Sequence, residues 1–212
     1  SKNALCWVND KGEHKRITYK ELKEKSDQAA SFFLQLGINK GDMVMLILKR
    51  RLQFWYAILG LHKIGAIAIP ATHLLTRKDI VYRNNAANIK AIIAVDDDLV
   101  LSHIDESISE SPSVEIKIHC GKTDKSGWID FEKGLLNAPK FVRPAHVNDN
   151  NDMMLLYFTS GTTGEPKMVI HNFVYPLGHI VTAKYWHNLH ENSLHLTVAD
   201  TGWGKAVWGK LY

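Results

Sequence analysis

Apolar and polar positions along the chain change period every few residues, and each change marks an element. Residues 5–8 and 16–18 flank the turn-rich Asn9-Asp10-Lys11-Gly12, which predicts a small hairpin. Thr18 with Glu21 three positions later is a capping-box pattern. Tyr19, Leu22, Ala29, Phe33 and Leu36 then recur at helical spacing until Gly37 ends the run. Past a turn at Asn39-Lys40-Gly41-Asp42, residues 43–48 read as an apolar strand. Residues 53–64 predict a helix closed by Gly65, and 66–70 a strand. Thr76, with Asp79 in the capping position, opens a helix to about Ala87. A strand over 90–95, a helix over 99–108 and a strand over 114–119 follow. Strands alternating with helices argue for an α/β fold: a parallel-rich sheet covered by helices, with Ile67, Ile69, Ile92, Ile93 and Val95 in the core.

From 121 to 152 the pattern loosens, and Pro139, Pro144 and the run Asn148-Asp149-Asn150-Asn151-Asp152 predict a linker or a crossing between two lobes. The expected division is a first α/β subdomain over 1–145 and the start of a second lobe over 146–212. Residues 153–158 and 167–171 look like strands joined by a loop. A helix over 173–186 has Pro176 in its first turn, 193–198 reads as a strand, and a last helix begins at Gly204. Trp203, Val207, Trp208 and Leu211 form an apolar stripe with nothing later in these residues to cover it, so either it packs back on this domain or these residues are a fragment of a longer protein.

Composition adds limits. The 212 residues suffice to bury a proper core, and 45% apolar with 23% charged residues is ordinary for a globular protein. A net charge of +4, well mixed along the chain, gives no basis for a nucleic-acid partner; Lys49-Arg50-Arg51 reads as a solvated strand end. Cys6 and Cys120 are isolated, which suits a reducing compartment. No apolar run reaches the length of a membrane span, and the first residues lack a signal-peptide pattern, so the expected location is cytoplasmic.

The richest chemistry lies in Tyr157-Phe158-Thr159-Ser160-Gly161-Thr162-Thr163-Gly164-Glu165-Pro166-Lys167. Gly161 and Gly164 let several backbone N–H groups turn toward one anion, Thr159, Ser160, Thr162 and Thr163 add hydroxyl donors, and Lys167 supplies a mobile positive charge. The spacing fails the Walker A template, because two residues rather than four separate the glycines and Glu165 follows the second. It fails the dinucleotide fingerprint, and Phe158 stands where a hydrolase nucleophile elbow needs glycine. The apolar flanks predict a loop from strand to strand, so the anion would be held by loop amides, hydroxyls and the lysine rather than by a helix N-terminus.

The segment from Thr159 to Lys167 closely resembles the phosphate-binding signature of the adenylate-forming superfamily, which includes acyl-CoA synthetases, luciferases and peptide-synthetase adenylation domains. Arg16-Ile17-Thr18-Tyr19-Lys20-Glu21-Leu22, the segment with Lys63-Ile64-Gly65-Ala66 and Ile69-Pro70, and Asp200-Thr201-Gly202-Trp203 resemble further elements of it, in the same order. The last is similar to the form found in acyl-CoA synthetases for short- and medium-chain acids.

The resemblance implies the N-terminal part of a longer acid–thiol ligase, with a small-molecule carboxylate, ATP, Mg²⁺ and CoA as reactants. It implies phosphate binding by Thr159, Ser160, Gly161, Thr162, Thr163, Gly164, Glu165, Pro166 and Lys167, with Lys167 orienting the phosphates, and an acyl pocket that includes Trp203. It also implies that these residues alone are inactive. A related enzyme with another acceptor, or a non-catalytic phosphate-binding module, remains open. His171 could approach the phosphates or be structural. His187, His190 and His195 read as solvated rather than as a zinc site, and Asp200 as a helix cap.

Overall fold

A strand is stable only when paired, and the first two pair with each other. In the computed structural model, which describes residues 2–121, 124–145, 147–159 and 164–211, β1 (Asn3–Val8) and β2 (His14–Thr18) form an antiparallel hairpin with Trp7 opposite Lys15. Thr18 then caps α1 (Tyr19–Gln35): its hydroxyl accepts the Glu21 amide at 3.2 Å, and the Glu21 carboxylate accepts the Thr18 amide at 2.7 Å. This reciprocal box satisfies two donors that the first turn leaves free. Gly37 exits the helix at a φ of +79°, a conformation that favours glycine.

The main sheet follows from the apolar runs. Its strands are β3 (Met43–Ile47), β4 (Ile67–Pro70), β5 (Ala91–Val95), β6 (Ile116–Cys120), β7 (Ile129–Asp130), β8 (Met153–Thr159) and β9 (Lys167–Asn172). They lie in the order β7-β6-β5-β3-β4-β8-β9, and every neighbouring pair is parallel except β8 with β9. Helices α2 (Leu52–Ile64), α3 (Arg77–Ala86), α4 (Asp98–Ser107) and α5 (Phe131–Asn137) complete the crossovers. Side chains alternate between faces: Val44, Leu46 and Ile93 pack with Phe33, Phe54 and Phe131 of α1, α2 and α5. Met45, Ile47 and Ile92 pack with Ile80, Leu101 and Ile104 of α3 and α4. Strands buried on both faces explain why their sequences are continuous apolar runs. No helix among the described residues is long and apolar enough to cross a membrane.

Three expectations change. The stretch expected as linker carries β7 and α5: the Asp130 carboxylate accepts the Lys133 amide at 2.8 Å to cap the helix, and Phe131 is fully buried. The strand expected over 193–198 does not form; Leu194, Leu196 and Val198 point into solvent, because the alternating segment finds no strand to pair with among the described residues. The helix expected over 173–186 is shorter, α6 (Tyr175–Val181), and continues as a π-helical turn over Thr182–Trp186. The terminal stripe is covered in part: Trp203 stays exposed while the residues after it pack back on the domain. On α7 (Gly204–Trp208), Val207 is fully buried in the core, and Trp208 lies nearly parallel between the rings of His179 and His187, at 5.5 and 5.6 Å.

Candidate functional site

Because β8 runs parallel to β4, the C-terminal ends of β3, β4, β5, β6 and β8 share one edge, where ligands bind in sheets of this kind. β8 leaves that edge at Thr159, and β9 returns at Lys167, directly opposite in the ladder. The loop therefore joins strand to strand, as its flanks predicted. Ser160, Gly161, Thr162 and Thr163 lie outside the described residues. Gly164 has a φ of +87°, the left-handed conformation that glycine adopts without penalty, and no described residue beyond its chain neighbours lies within 4 Å of where a Cβ would sit. Thr159 lies with its hydroxyl 3.4 Å from the Lys167 carbonyl, and the Lys167 side chain is exposed and forms no ion pair among the described residues. Glu165 and Pro166 form the descending arm, and the Pro166 carbonyl accepts a hydrogen bond from the Tyr82 hydroxyl at 2.9 Å.

A second segment docks at the same edge. The Thr201 hydroxyl, buried, donates to the Lys49 carbonyl just beyond β3. Gly202 lies so close to the chain leaving β4 that a Cβ there would sit 2.2 Å from the Thr72 nitrogen and 2.3 Å from the Ala71 carbonyl carbon. Only a residue without a side chain fits that approach. Asp200 accepts the Gly202 amide on Oδ1 at 2.9 Å and the Trp203 amide on its carbonyl at 3.0 Å. It thus folds the turn ahead of α7 rather than occupying the N-cap itself, which is Trp203. Trp203 is 65% exposed, with its side chain free to meet a ligand or further chain.

Residues 49 and 50 join these parts. Lys49 has a φ of +51°, unusual for a residue with a side chain, and its Nζ lies 2.6 Å from Asp97 Oδ2. Lys49 holds the Asp97 carboxyl below its ordinary range, and Asp97 Oδ1 caps α4 at the Val100 amide, 3.3 Å away. The Arg50 carbonyl accepts the Trp7 indole N–H at 2.8 Å. The basic run is therefore a joint, not only a solvated strand end. Sequence reasoning missed it, as it missed Tyr82 and Arg83 of α3, because the contacts are made by carbonyls and by residues distant in the chain.

The histidines resolve differently. His171 pairs with Leu155, four ladder positions from the loop and so about 13 Å along the strand. Its ring packs on Tyr175 at 4.0 Å and against Tyr157 at 5.8 Å, and desolvation lowers its pKa; its place is structural. His187 and His195 are half-buried with ring centroids 4.7 Å apart, while His190 is exposed. Among the described residues no group of three His, Cys, Asp or Glu is arranged to hold a metal. A recess of about 530 Å³, lined by Trp7, Arg51, Gln53, Asp96, Cys120 and Glu132, opens beyond β3, β5 and β6; Thr159, Gly164, Glu165, Pro166, Lys167 and Trp203 do not line it.

A family model described as AMP-binding enzyme matches residues 1–209. The mitochondrial acyl-coenzyme A synthetase ACSM5 of Rattus norvegicus is 35% identical over 210 residues, which cover 97% of this chain and 35% of that protein. The human mitochondrial acyl-coenzyme A synthetase ACSM2B is 36% identical over 212 residues, covering 98% and 36%. The chain thus spans about a third of the length of these curated relatives. In fold it is similar to an acyl-CoA synthetase of Brucella canis (TM-score 0.85, 22% identity, 98% of this chain and 37% of that one). It is similar also to acetoacetyl-CoA synthetase of Streptomyces lividans (TM-score 0.86, 21% identity, 99% and 33%). The expected cytoplasmic location is overturned, since these relatives are mitochondrial proteins. A missing secretory pattern in these residues says nothing of the compartment. From the strand-to-strand glycine loop to the turn packed on β4, the motifs fall within one matched stretch, and the chain belongs to the AMP-binding enzyme family.

Proposed function

We propose that these residues serve an ATP-dependent acid–thiol ligase of the acyl-CoA synthetase type, acting on a short- to medium-chain carboxylic acid. The observation that carries this reading is the β8–β9 hairpin, whose arms meet at Thr159 and Lys167 on the ligand-binding edge of the sheet, with Lys167 exposed and in no ion pair among the described residues. A carboxylate is a poor electrophile, and adenylation gives it a good leaving group. The acid attacks the α-phosphate of ATP, forming acyl-AMP and pyrophosphate; the CoA thiol then attacks the acyl carbon and AMP leaves. The first step brings an anion to a triphosphate, so its barrier is electrostatic. Thr159, Ser160, Gly161, Thr162, Thr163, Gly164, Glu165 and Pro166 form the phosphate cradle in this reading, and the Lys167 ammonium offsets the repulsion and orients the departing pyrophosphate. Mg²⁺ enters with ATP as part of the substrate. Trp203, exposed on the turn beside the same edge, forms a wall of the acyl site.

The Thr201-Gly202-Trp203 turn and the likeness to acyl-coenzyme A synthetases favour CoA as acceptor over the carrier of an adenylation domain. The names of the relatives support a mitochondrial location. The test is ATP–pyrophosphate exchange by the complete protein with acids of graded length, followed by identification of the thioester product. Lys167→Ala should slow exchange at least about tenfold, equal to ~1.4 kcal/mol of barrier. Exchange at the parent rate removes the loop from the chemistry, and no exchange with any acid removes the enzyme reading.

A further inference from the structure

The geometry points to Tyr82 as a positioning residue for the phosphate hairpin: its hydroxyl clamps the arm that carries Lys167. This rests on the function proposed above. Tyr82 lies on α3, 84 positions before Pro166 in the chain, yet its Oη donates to the Pro166 carbonyl at 2.9 Å. Pro166 immediately precedes Lys167, the first residue of β9. Its ring fixes φ near about −65°, so once its carbonyl is held, the peptide leading into Lys167 has little freedom left.

The same helix also holds the other foot of the hairpin. The Tyr82 ring meets Phe158 edge-on at 6.1 Å, and the Arg83 guanidinium lies 5.2 Å above that Phe158 ring. Asp79 sits 3.8 Å from Arg83, and the Glu165 carboxylate acts on the same guanidinium. Phe158 on the rising strand and Pro166 on the descending arm are thus both fixed to α3. Between them, Gly164 takes its left-handed φ of +87°, with nothing among the described residues beyond its chain neighbours within 4 Å of the position a Cβ would occupy. By holding the Pro166 carbonyl, Tyr82 sets where the chain enters Lys167.

Tyr82→Phe removes the donor and keeps the ring on Phe158. In the complete protein it should lower the maximal rate of ATP–pyrophosphate exchange about fivefold, the worth of one neutral hydrogen bond. KM for the acid should be unchanged. In a Lys167→Ala background the same substitution should cost nothing further, because its effect passes through that ammonium. Hydrogen exchange of the amides over 164–169 should quicken in Tyr82→Phe. Parent-like exchange kinetics in Tyr82→Phe, an equal loss on top of Lys167→Ala, or unaltered amide protection would each overturn the clamp. If the parent protein activates no acid while Tyr82→Phe still loosens these amides, the clamp stands and the proposed function falls.

Discussion

Gly202→Ala tests how the Asp200–Trp203 turn is seated. A Cβ at this position would lie 2.2 Å from the Thr72 nitrogen, against 3.4 Å for ordinary contact, a shortfall of 1.2 Å. The obstacle is backbone, and it cannot yield cheaply: the Ala71 amide is itself bonded to the Leu46 carbonyl at 2.9 Å, at the end of the β3–β4 ladder. The turn must therefore lift by more than 1 Å, which separates the buried Thr201 hydroxyl from the Lys49 carbonyl. Overpacking of this kind costs about 1–3 kcal/mol, and a buried hydroxyl left without its partner adds about 1 more, for a loss of about 2–4 kcal/mol. Urea denaturation of the chain measures it. Gly178→Ala is the matched control: Gly178 lies within α6, with nothing within 4 Å and no positive φ, so alanine there should stabilise by up to about 1 kcal/mol. A Gly202→Ala variant within about 0.5 kcal/mol of the parent, the scatter of neutral surface substitutions, would refute the close seating.

Two further outcomes are expected. Phe131→Ala should cost about 3–5 kcal/mol by denaturation, since its ring is fully buried and lies 6.2 Å from both Phe32 and Phe33; a loss under about 1 kcal/mol would show that α5 is not part of the core. Desolvation lowers the His62 imidazole from 6.5 to about 3, with Phe173 packed edge-on at 6.1 Å. In the window between those values the unfolded chain holds a proton that the folded chain refuses. Stability from this group is complete above about pH 6.5 and falls as pH drops, by about 1.4 kcal/mol per pH unit for one proton. His171 and His179, both lowered by desolvation first, add to the loss with the same sign. Denaturation midpoints between pH 7 and pH 5 should show a shallower slope in His62→Gln, and an identical slope would contradict this account.

What could be read from the sequence was what the chain decides locally. Thr18 with Glu21, and Thr76 with Asp79, lie one helical turn apart, so both capping boxes were visible and both form. Gly65 was readable as the end of α2 because its φ of +75° is a property of the residue itself. The strand-to-strand loop was readable from its apolar flanks. By contrast, α5 has only Phe131 and Leu135 as buried anchors, and its fit depends on the absent side chain of Gly134, where a Cβ would come within 2.3 Å of the distant Phe32 ring. Local composition carries no trace of that. Residues 193–198 alternate like a strand, yet pairing needs a partner that periodicity alone does not supply. In the candidate site, the loop chemistry was legible, while Tyr82 and Lys49 were not, since each acts on a segment far along the chain.

The joint at residues 49 and 50 has a consequence for how this domain tolerates change. Its bonds to the β1 indole and to the Thr201 hydroxyl end on main-chain oxygens, which every amino acid provides. Replacing the side chains there one at a time leaves both acceptors in position, so a conventional scan would undervalue the segment. An inserted or deleted residue would rotate those oxygens away and release the hairpin and the aromatic turn together. Length is guarded at this point more strictly than identity.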